Sequence, residues 1–149
     1  MTTPTIATLP RISKENLAEL LRAKTAGVTV VDVRDSDYIG GHIRGCQNVP
    51  TSTHDHRMPE LVRTLKNQDT VVFHCALSQQ RGPKSALAYV RKRAEMAERG
   101  EVGVRGDGED VERAQRVVVL EGGFVGWQEV YGEDKELTEG YVKDLWDEK

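Results

Sequence analysis

Three short runs rich in β-branched residues constrain the fold most, because segments with helical periodicity separate them. The runs are residues 28–33, 70–74 and 117–120. The segments around them repeat apolar residues at helical spacing and predict helices over 13–27, 59–66, 83–99 and 124–131, with a last amphipathic segment at 138–146. Strands that alternate with helices form a parallel sheet covered on both faces. Ligands bind such sheets beyond the carboxyl ends of the strands, so the residues that follow the three runs are candidate site residues.

The second run leads into the most informative stretch, residues 74–83. Cys75 follows the strand, Arg81 comes six positions later, and Gly82 and Pro83 open a helix in which Pro83 suits the first position. A loop that leads into a helix N-terminus turns its backbone N–H groups inward. These N–H dipoles favour the binding of an anion, and they stabilise a thiolate relative to a thiol. The Arg81 guanidinium adds a planar fork that can hold two anion oxygens. This order predicts a thiolate nucleophile that attacks the centre of a bound tetrahedral oxyanion.

A cysteine that ends an apolar strand is usually a small buried hydrophobe, but the strand before Cys75 and the helix start after it favour the functional interpretation.

Other polar residues lie at the same predicted edge of the sheet. His74 precedes the cysteine, and strand alternation turns its side chain the other way, so we expect it to orient the loop backbone through hydrogen bonds. Asp32 and Arg34 are expected to form a buried polar brace beside the site. Glu121 either joins that brace or reaches the loop amides.

Length and composition set the broad class. The chain has 149 residues, which fits one domain with its own core. We expect a flexible arm over residues 1–10 and a single domain over 11–149, with a polar insertion at about 100–115. The net charge of −3 gives no basic field for nucleic acid, and no apolar run reaches the ~20 residues that span a bilayer. Two cysteines make no disulfide framework, which favours a reducing compartment, the cytoplasm or the nucleus.

Three sequence blocks follow the ends of the predicted strands: residues 31–35 with 40–43, then 74–83, then 120–124 with Trp127. In this order and spacing the chain resembles the rhodanese-like fold, in its cell-division-cycle phosphatase branch. It is most similar to the small single-domain fungal phosphatases of that branch, and next to the related fungal arsenate reductases. The resemblance implies a five-stranded parallel sheet with helices on both faces.

The same resemblance implies a role for each residue of the loop. Cys75 corresponds to the nucleophile and Arg81 to the phosphate-binding arginine. The phosphate-binding loop that supplies the backbone amides comprises Ala76, Leu77, Ser78, Gln79, Gln80 and Arg81. Sulfurtransferases of this fold have a loop one residue shorter. The five residues between Cys75 and Arg81 therefore fit phosphate or arsenate.

The chain departs from the cell-cycle phosphatases at two places. Acidic residues that are proposed there to protonate the leaving group are replaced by Ala76 and Gln80, so the loop contains no carboxylate. The second cysteine that can trap the nucleophile corresponds here to Val33. Cys46 lies elsewhere in the sequence, and a disulfide between Cys46 and Cys75 is kept as a separate hypothesis.

These observations predict a cysteine-dependent phosphatase of the tyrosine or dual-specificity type, which hydrolyses phosphomonoesters through a phosphocysteine. Its expected partners are a phosphorylated protein or a small aryl phosphate, and its loop is expected to bind phosphate, sulfate or arsenate. No metal or cofactor is expected. The leaving-group proton has three candidate donors in the chain, Asp35, Asp37 and Asp55, and the substrate monoanion is the fourth. The alternative interpretation of each aspartate is a solvated loop charge. The alternatives are an arsenate reductase that uses glutathione and glutaredoxin, and a binding module without catalysis.

Overall fold

The computed structural model describes residues 5–102 and 115–147, and its centre is a parallel sheet. The strands of this sheet are β1 (Arg11–Ile12), β2 (Val28–Asp32), β4 (Gln47–Asn48), β5 (Thr70–His74) and β6 (Arg116–Leu120). Within the described ranges these five strands lie in the order β1-β6-β5-β2-β4, and every pairing is parallel. A small antiparallel sheet pairs β3 (His42–Ile43) with β7 (Thr138–Glu139). The predicted five-stranded parallel sheet is therefore confirmed.

Helices cover both faces of the main sheet. The helices are α1 (Lys14–Arg22), α2 (His54–Thr64), α3 (Arg81–Glu98), α4 (Gly123–Tyr131) and the short α5 (Lys143–Asp147). Apolar residues of α2 and α3 form one core layer with one face of the sheet, and those of α1 and α4 form a second layer with the other face. Because both faces are buried, the central strands are almost continuous apolar runs.

Alternation along the strands assigns each side chain to one of the two layers. Val31 and Phe73 point into the layer with α2 and α3, whereas Val30 and Val72 point into the layer with α1 and α4. The register between β2 and β5 places Asp32 opposite His74. The residues that follow these two strands therefore meet at one edge of the sheet.

Four helix boundaries differ from the sequence-based expectation. Helix α1 ends at Arg22, five residues before the predicted end at residue 27. Helix α2 begins at His54, after a 3₁₀ turn, and Pro59 lies inside it. Helix α3 begins at Arg81, so Pro83 is its third residue and not its first. A proline is tolerated there because the N–H groups of the first turn have no intrahelical acceptor. The predicted amphipathic segment 138–146 is split, since Thr138 and Glu139 belong to β7 and only the end is helical.

The ends of the described ranges bear on the predicted domain boundaries. Leu9 is buried in the core, and the Pro10 carbonyl accepts a hydrogen bond from the Val119 N–H at 3.0 Å. The packed part of the chain thus begins before the predicted boundary at residue 11. Residues 1–4 of the predicted arm and 103–114 of the predicted insertion lie outside the described residues. No described helix has the length and apolar character needed to cross a bilayer.

Candidate active site

The Cys75 sulfur lies at the floor of the loop that joins β5 to α3. Its Sγ accepts hydrogen bonds from the backbone N–H of Ser78 at 3.2 Å and of Gly82 at 3.3 Å. Residue Cys75 is only 3% exposed, so these donors act in a region with little water. Both N–H groups point at the sulfur, which is therefore the acceptor of two backbone hydrogen bonds. The sequence had singled out the loop amides up to Arg81, but not Gly82.

Ser78 gives the loop its shape. Its backbone φ of +57° is left-handed, which is uncommon for a residue other than glycine. Three contacts hold it there: its N–H donates to the Cys75 sulfur, its Oγ accepts from the Cys75 N–H at 3.4 Å, and its carbonyl accepts from Arg11 Nη1 at 3.2 Å. Arg11 thus contacts the loop from β1, and no sequence motif had indicated it.

The rest of the loop presents unpaired backbone donors. Among the described residues, the backbone N–H groups of Ala76, Leu77, Gln79, Gln80 and Arg81 make no hydrogen bond to a protein acceptor. Amides of a loop that make no hydrogen bond within the protein remain available to a bound acceptor. A tetrahedral oxyanion is the acceptor that such a set suits.

The floor of the loop is held from below by α4 and His74. The N–H groups at the start of α4, those of Phe124 and Val125, donate to the carbonyls of Cys75 and Ala76 at 3.0 and 2.9 Å. The Nδ1 atom of His74 lies 3.0 Å from the Cys75 carbonyl, and this buried side chain is the donor because a carbonyl can only accept. Burial lowers the pKa of His74, which favours the neutral ring.

Asp32 and Arg34 form a fully buried ion pair beside the loop. Arg34 Nε and Nη2 donate to the Asp32 carboxylate at 3.0 and 2.8 Å. Arg34 also donates to the Gly41 carbonyl, and its guanidinium lies 4.4 Å from the centre of the Phe124 ring. The pair therefore connects the end of β2 to α4 and to the segment that follows β2.

The Arg81 side chain is already bound to two carboxylates. Its Nη1 and Nη2 donate to the two oxygens of Asp37 at 2.8 and 2.7 Å, and Nη1 lies 3.5 Å from Asp35. The hydrogen bond from Arg81 lowers the pKa of Asp37 to about 2. The pKa of Asp35 is also lowered, because hydrogen bonds from Thr51, Ser52 and Arg81 outweigh the effect of burial. Both carboxyl groups are therefore ionised in this arrangement.

Two expectations need correction. Glu121 neither joins the buried brace nor reaches the loop amides: its side chain is 63% exposed, and it contacts Arg11 at 3.4 Å. The proposed disulfide between Cys46 and Cys75 does not fit, because the two residues pack on opposite faces of the sheet. Cys46 directly precedes β4 and Cys75 directly follows β5. Because β2 lies between β4 and β5, these two strands are about 10 Å apart, whereas a disulfide needs Cα atoms within about 7 Å of each other.

No metal centre accompanies the loop in the part of the chain that the structure describes. In those residues no group of three or more histidine, cysteine, aspartate or glutamate side chains is arranged to hold an ion.

The fold and the loop together define the class: an α/β protein in which a cysteine, five loop residues and an arginine follow a central strand of a parallel sheet. A model of the rhodanese-like domain matches residues 13–130, and the chain belongs to this family. The chain is 40% identical over 128 residues to the CDC25-like phosphatase YCH1 of Saccharomyces cerevisiae. The match covers 78% of this chain and 76% of that protein. The resemblance read from the three sequence blocks is confirmed.

Two further relatives represent different activities. Arsenate reductase 2.2 of Oryza sativa subsp. japonica is 36% identical over 118 residues, covering 78% of this chain and 80% of that protein. Among solved structures, a yeast protein tyrosine phosphatase of the rhodanese family superposes with a TM-score of 0.72 at 32% identity, covering 98% of this chain and 99% of that one. The family thus includes proteins named as phosphatases and proteins named as reductases of a phosphate analogue.

Proposed function

We propose that this protein is a cysteine-dependent phosphatase of the tyrosine or dual-specificity type, with Cys75 as its nucleophile. The observation that carries the proposal is the Cys75 sulfur, which accepts two backbone N–H bonds at the floor of its loop. Five further amides of this loop make no hydrogen bond to the described residues. The relatives named as phosphatases support it.

The proposed reaction has two displacements at phosphorus. The Cys75 thiolate attacks in line, an S–P bond forms, and the P–O bond to the leaving group breaks. The loop amides and the Arg81 guanidinium hold the equatorial oxygens as charge develops on them. Water then attacks the phosphocysteine, the S–P bond breaks, and the thiolate and inorganic phosphate are released. Arg81 must leave Asp37 to take this part.

The source of the leaving-group proton limits the substrates. The loop has no carboxylate, and Asp37, with a pKa of about 2, carries no proton at neutral pH while Arg81 holds it. General acid catalysis contributes about 10²–10⁴-fold, so substrates with poor leaving groups lose most. We therefore propose aryl phosphates, including phosphotyrosine in a protein, as the better substrates. The loop is accessible to them, since Leu77 is 50% exposed and Gln79 and Gln80 are exposed.

A thiolate nucleophile requires reducing surroundings, and both cysteines are free. We accordingly assign the protein to the cytoplasm or the nucleus.

The test compares wild type, Cys75→Ser and Cys46→Ser on p-nitrophenyl phosphate and on a phosphoserine peptide. Cys46 is the matched control, because it lies on the other face of the sheet. We expect Cys75→Ser to lose at least about 10³-fold in kcat and Cys46→Ser to keep the wild-type rate. Hydrolysis that survives in Cys75→Ser refutes the proposal. Faster turnover of the phosphoserine peptide than of the aryl ester refutes the substrate class.

Arsenate reduction is the second candidate, and the same lack of an acid favours it, because attack on arsenate needs no protonated carboxylate in the loop. Cys75 would form an S–As bond as hydroxide leaves, and two glutathione thiols would supply the two electrons, giving arsenite, oxidised glutathione and water. Relatives named as arsenate reductases support it. Arsenite formation from arsenate with glutathione and glutaredoxin, at a rate above that of p-nitrophenyl phosphate hydrolysis, would replace the first candidate by the second.

A further inference from the structure

The guanidinium that the anion requires is bound to a carboxylate of the same chain. Both Arg81 Nη atoms donate to Asp37, one to each oxygen, at 2.8 and 2.7 Å. This paired geometry is also how a guanidinium holds two oxygens of a phosphate. Asp37 therefore uses donors that an incoming oxyanion would need.

Asp37 is held in this position by contacts that do not involve Arg81. Its Oδ1 accepts from the Asp35 N–H at 3.0 Å, and its carbonyl accepts from the Ile39 N–H at 2.9 Å. Asp35 is itself anchored, because the Thr51 hydroxyl donates to both of its carboxylate oxygens. The turn after β2 thus presents the Asp37 carboxylate to Arg81 from a fixed position.

We propose that Asp37 is an internal competitor that sets the affinity of the site for oxyanions, because each anion must displace its carboxylate from Arg81. The inference rests on the proposed function only in so far as both require an oxyanion at the Cys75 loop. Competition weakens the binding of substrate, of product phosphate and of arsenate by one common factor. It therefore raises KM and the inhibition constant of phosphate together, and leaves kcat unchanged.

The size of the factor follows from the strength of the ion pair. The lowered pKa of Asp37 agrees with a favourable pair, but the side chains of Arg81 and Asp37 are 35% and 44% exposed, so solvent screens it. Ion pairs with this exposure contribute little, although the geometry with two parallel hydrogen bonds is the favourable one. We expect Asp37→Asn to tighten oxyanion binding by about 3–5-fold, at the upper end of the range for exposed pairs.

The test measures binding of two probes by isothermal titration calorimetry at pH ~8. Inorganic phosphate is a dianion there, and dimethyl phosphate is a monoanion. The proteins are wild type, Asp37→Asn and the control Glu121→Gln, which removes the same charge beside the same loop but contacts Arg11 instead of Arg81. If Asp37 competes for Arg81, both probes gain the same factor in Asp37→Asn. If Asp37 acts only by repulsion, the dianion gains more than the monoanion.

A double-mutant cycle with Arg81→Lys gives the second readout. Lysine has no planar fork, so the gain from Asp37→Asn is expected to fall below about 2-fold in that background. If Asp37→Asn tightens phosphate binding equally with Arg81 and with lysine at that position, the inference is overturned. Weaker phosphate binding in Asp37→Asn also overturns it, because that result would show that Asp37 positions Arg81 for the anion. A gain in Glu121→Gln as large as that in Asp37→Asn overturns it too.

The kinetic arm separates this inference from the proposed function. If wild type hydrolyses p-nitrophenyl phosphate and Asp37→Asn leaves KM and phosphate inhibition unchanged, only the competition is wrong. If neither protein binds phosphate or hydrolyses the ester, the proposed function fails and this inference fails with it.

Discussion

Gly123, the first residue of α4, lies in direct contact with the loop that carries Cys75. A Cβ atom at this position would lie 2.4 Å from the Ala76 carbonyl oxygen and 2.6 Å from that of Cys75. The backbone φ is +57°, in the left-handed region that a side chain disfavours. The contact exists because the N–H groups of Phe124 and Val125 donate to those same two carbonyls.

Replacing Gly123 by alanine is therefore expected to damage both stability and catalysis. The left-handed conformation costs about 1–2 kcal/mol for a residue with a Cβ. Relief of the overlap requires the loop or the helix to move, at about 1–3 kcal/mol for overpacking of this kind. We expect Gly123→Ala to lower the free energy of unfolding by about 2–5 kcal/mol, a large part of the 5–15 kcal/mol of an ordinary domain.

The same helix contains a matched control. A Cβ at Gly126 meets nothing within 4 Å, so Gly126→Ala is expected to raise stability by about 0.5–1 kcal/mol through helix propensity. Urea denaturation followed by tryptophan fluorescence reports on this region directly, because Trp127 is buried in α4. Turnover of p-nitrophenyl phosphate is measured on both variants under conditions in which each is folded.

Two results would refute the reasoning. If Gly123→Ala unfolds at the wild-type urea concentration, α4 and the loop do not approach each other as closely as 2.4 Å would require. If it is destabilised but turns over substrate at the wild-type rate once folded, the start of α4 does not set the geometry of the loop. A destabilising Gly126→Ala would show that the loss is general to the helix.

The remaining predictions concern the residues that hold the loop and its pH dependence. Arg11→Met removes the donor to the Ser78 carbonyl, so we expect kcat/KM to fall about 3–10-fold and iodoacetamide to alkylate Cys75 more slowly. Arg11→Lys is expected to restore part of both losses. Unchanged alkylation would show that Ser78 needs no such anchor. Burial lowers the pKa of His74, so the folded state binds fewer protons than the unfolded state below its ordinary pKa of about 6.5. The contribution of neutral His74 to stability is complete above that pH and is lost as the pH falls towards the folded-state pKa. The urea midpoint of wild type is therefore expected to be lower at pH ~5 than at pH ~7.5, and this difference is expected to be smaller in His74→Gln. An equal difference in both proteins would contradict the assignment.

The sheet and the identity of the loop could be predicted from the sequence because both depend on local patterns. The strands around Val30, Val72 and Val118 are buried on both faces, so nearly every residue in each run is apolar. Such runs can be recognised in the sequence without a structure. Cys75 and Arg81 are separated by a short loop, so their spacing alone indicates a site. Helix boundaries were less predictable, since α2 tolerates Pro59 in its interior and begins five residues before it.

The contacts that tune the site come from distant segments, and this explains why the sequence did not reveal them. Asp37 and Arg81 are 44 positions apart and meet only because β2 and β5 are neighbours in register. Asp37 was considered from the sequence as a source of the leaving-group proton, but an aspartate paired with a guanidinium is ionised and cannot donate one. The same pairing that removes Asp37 as an acid makes it a competitor for the arginine. Its chemical role therefore depends on a tertiary contact, and the residue type alone could not decide between the two.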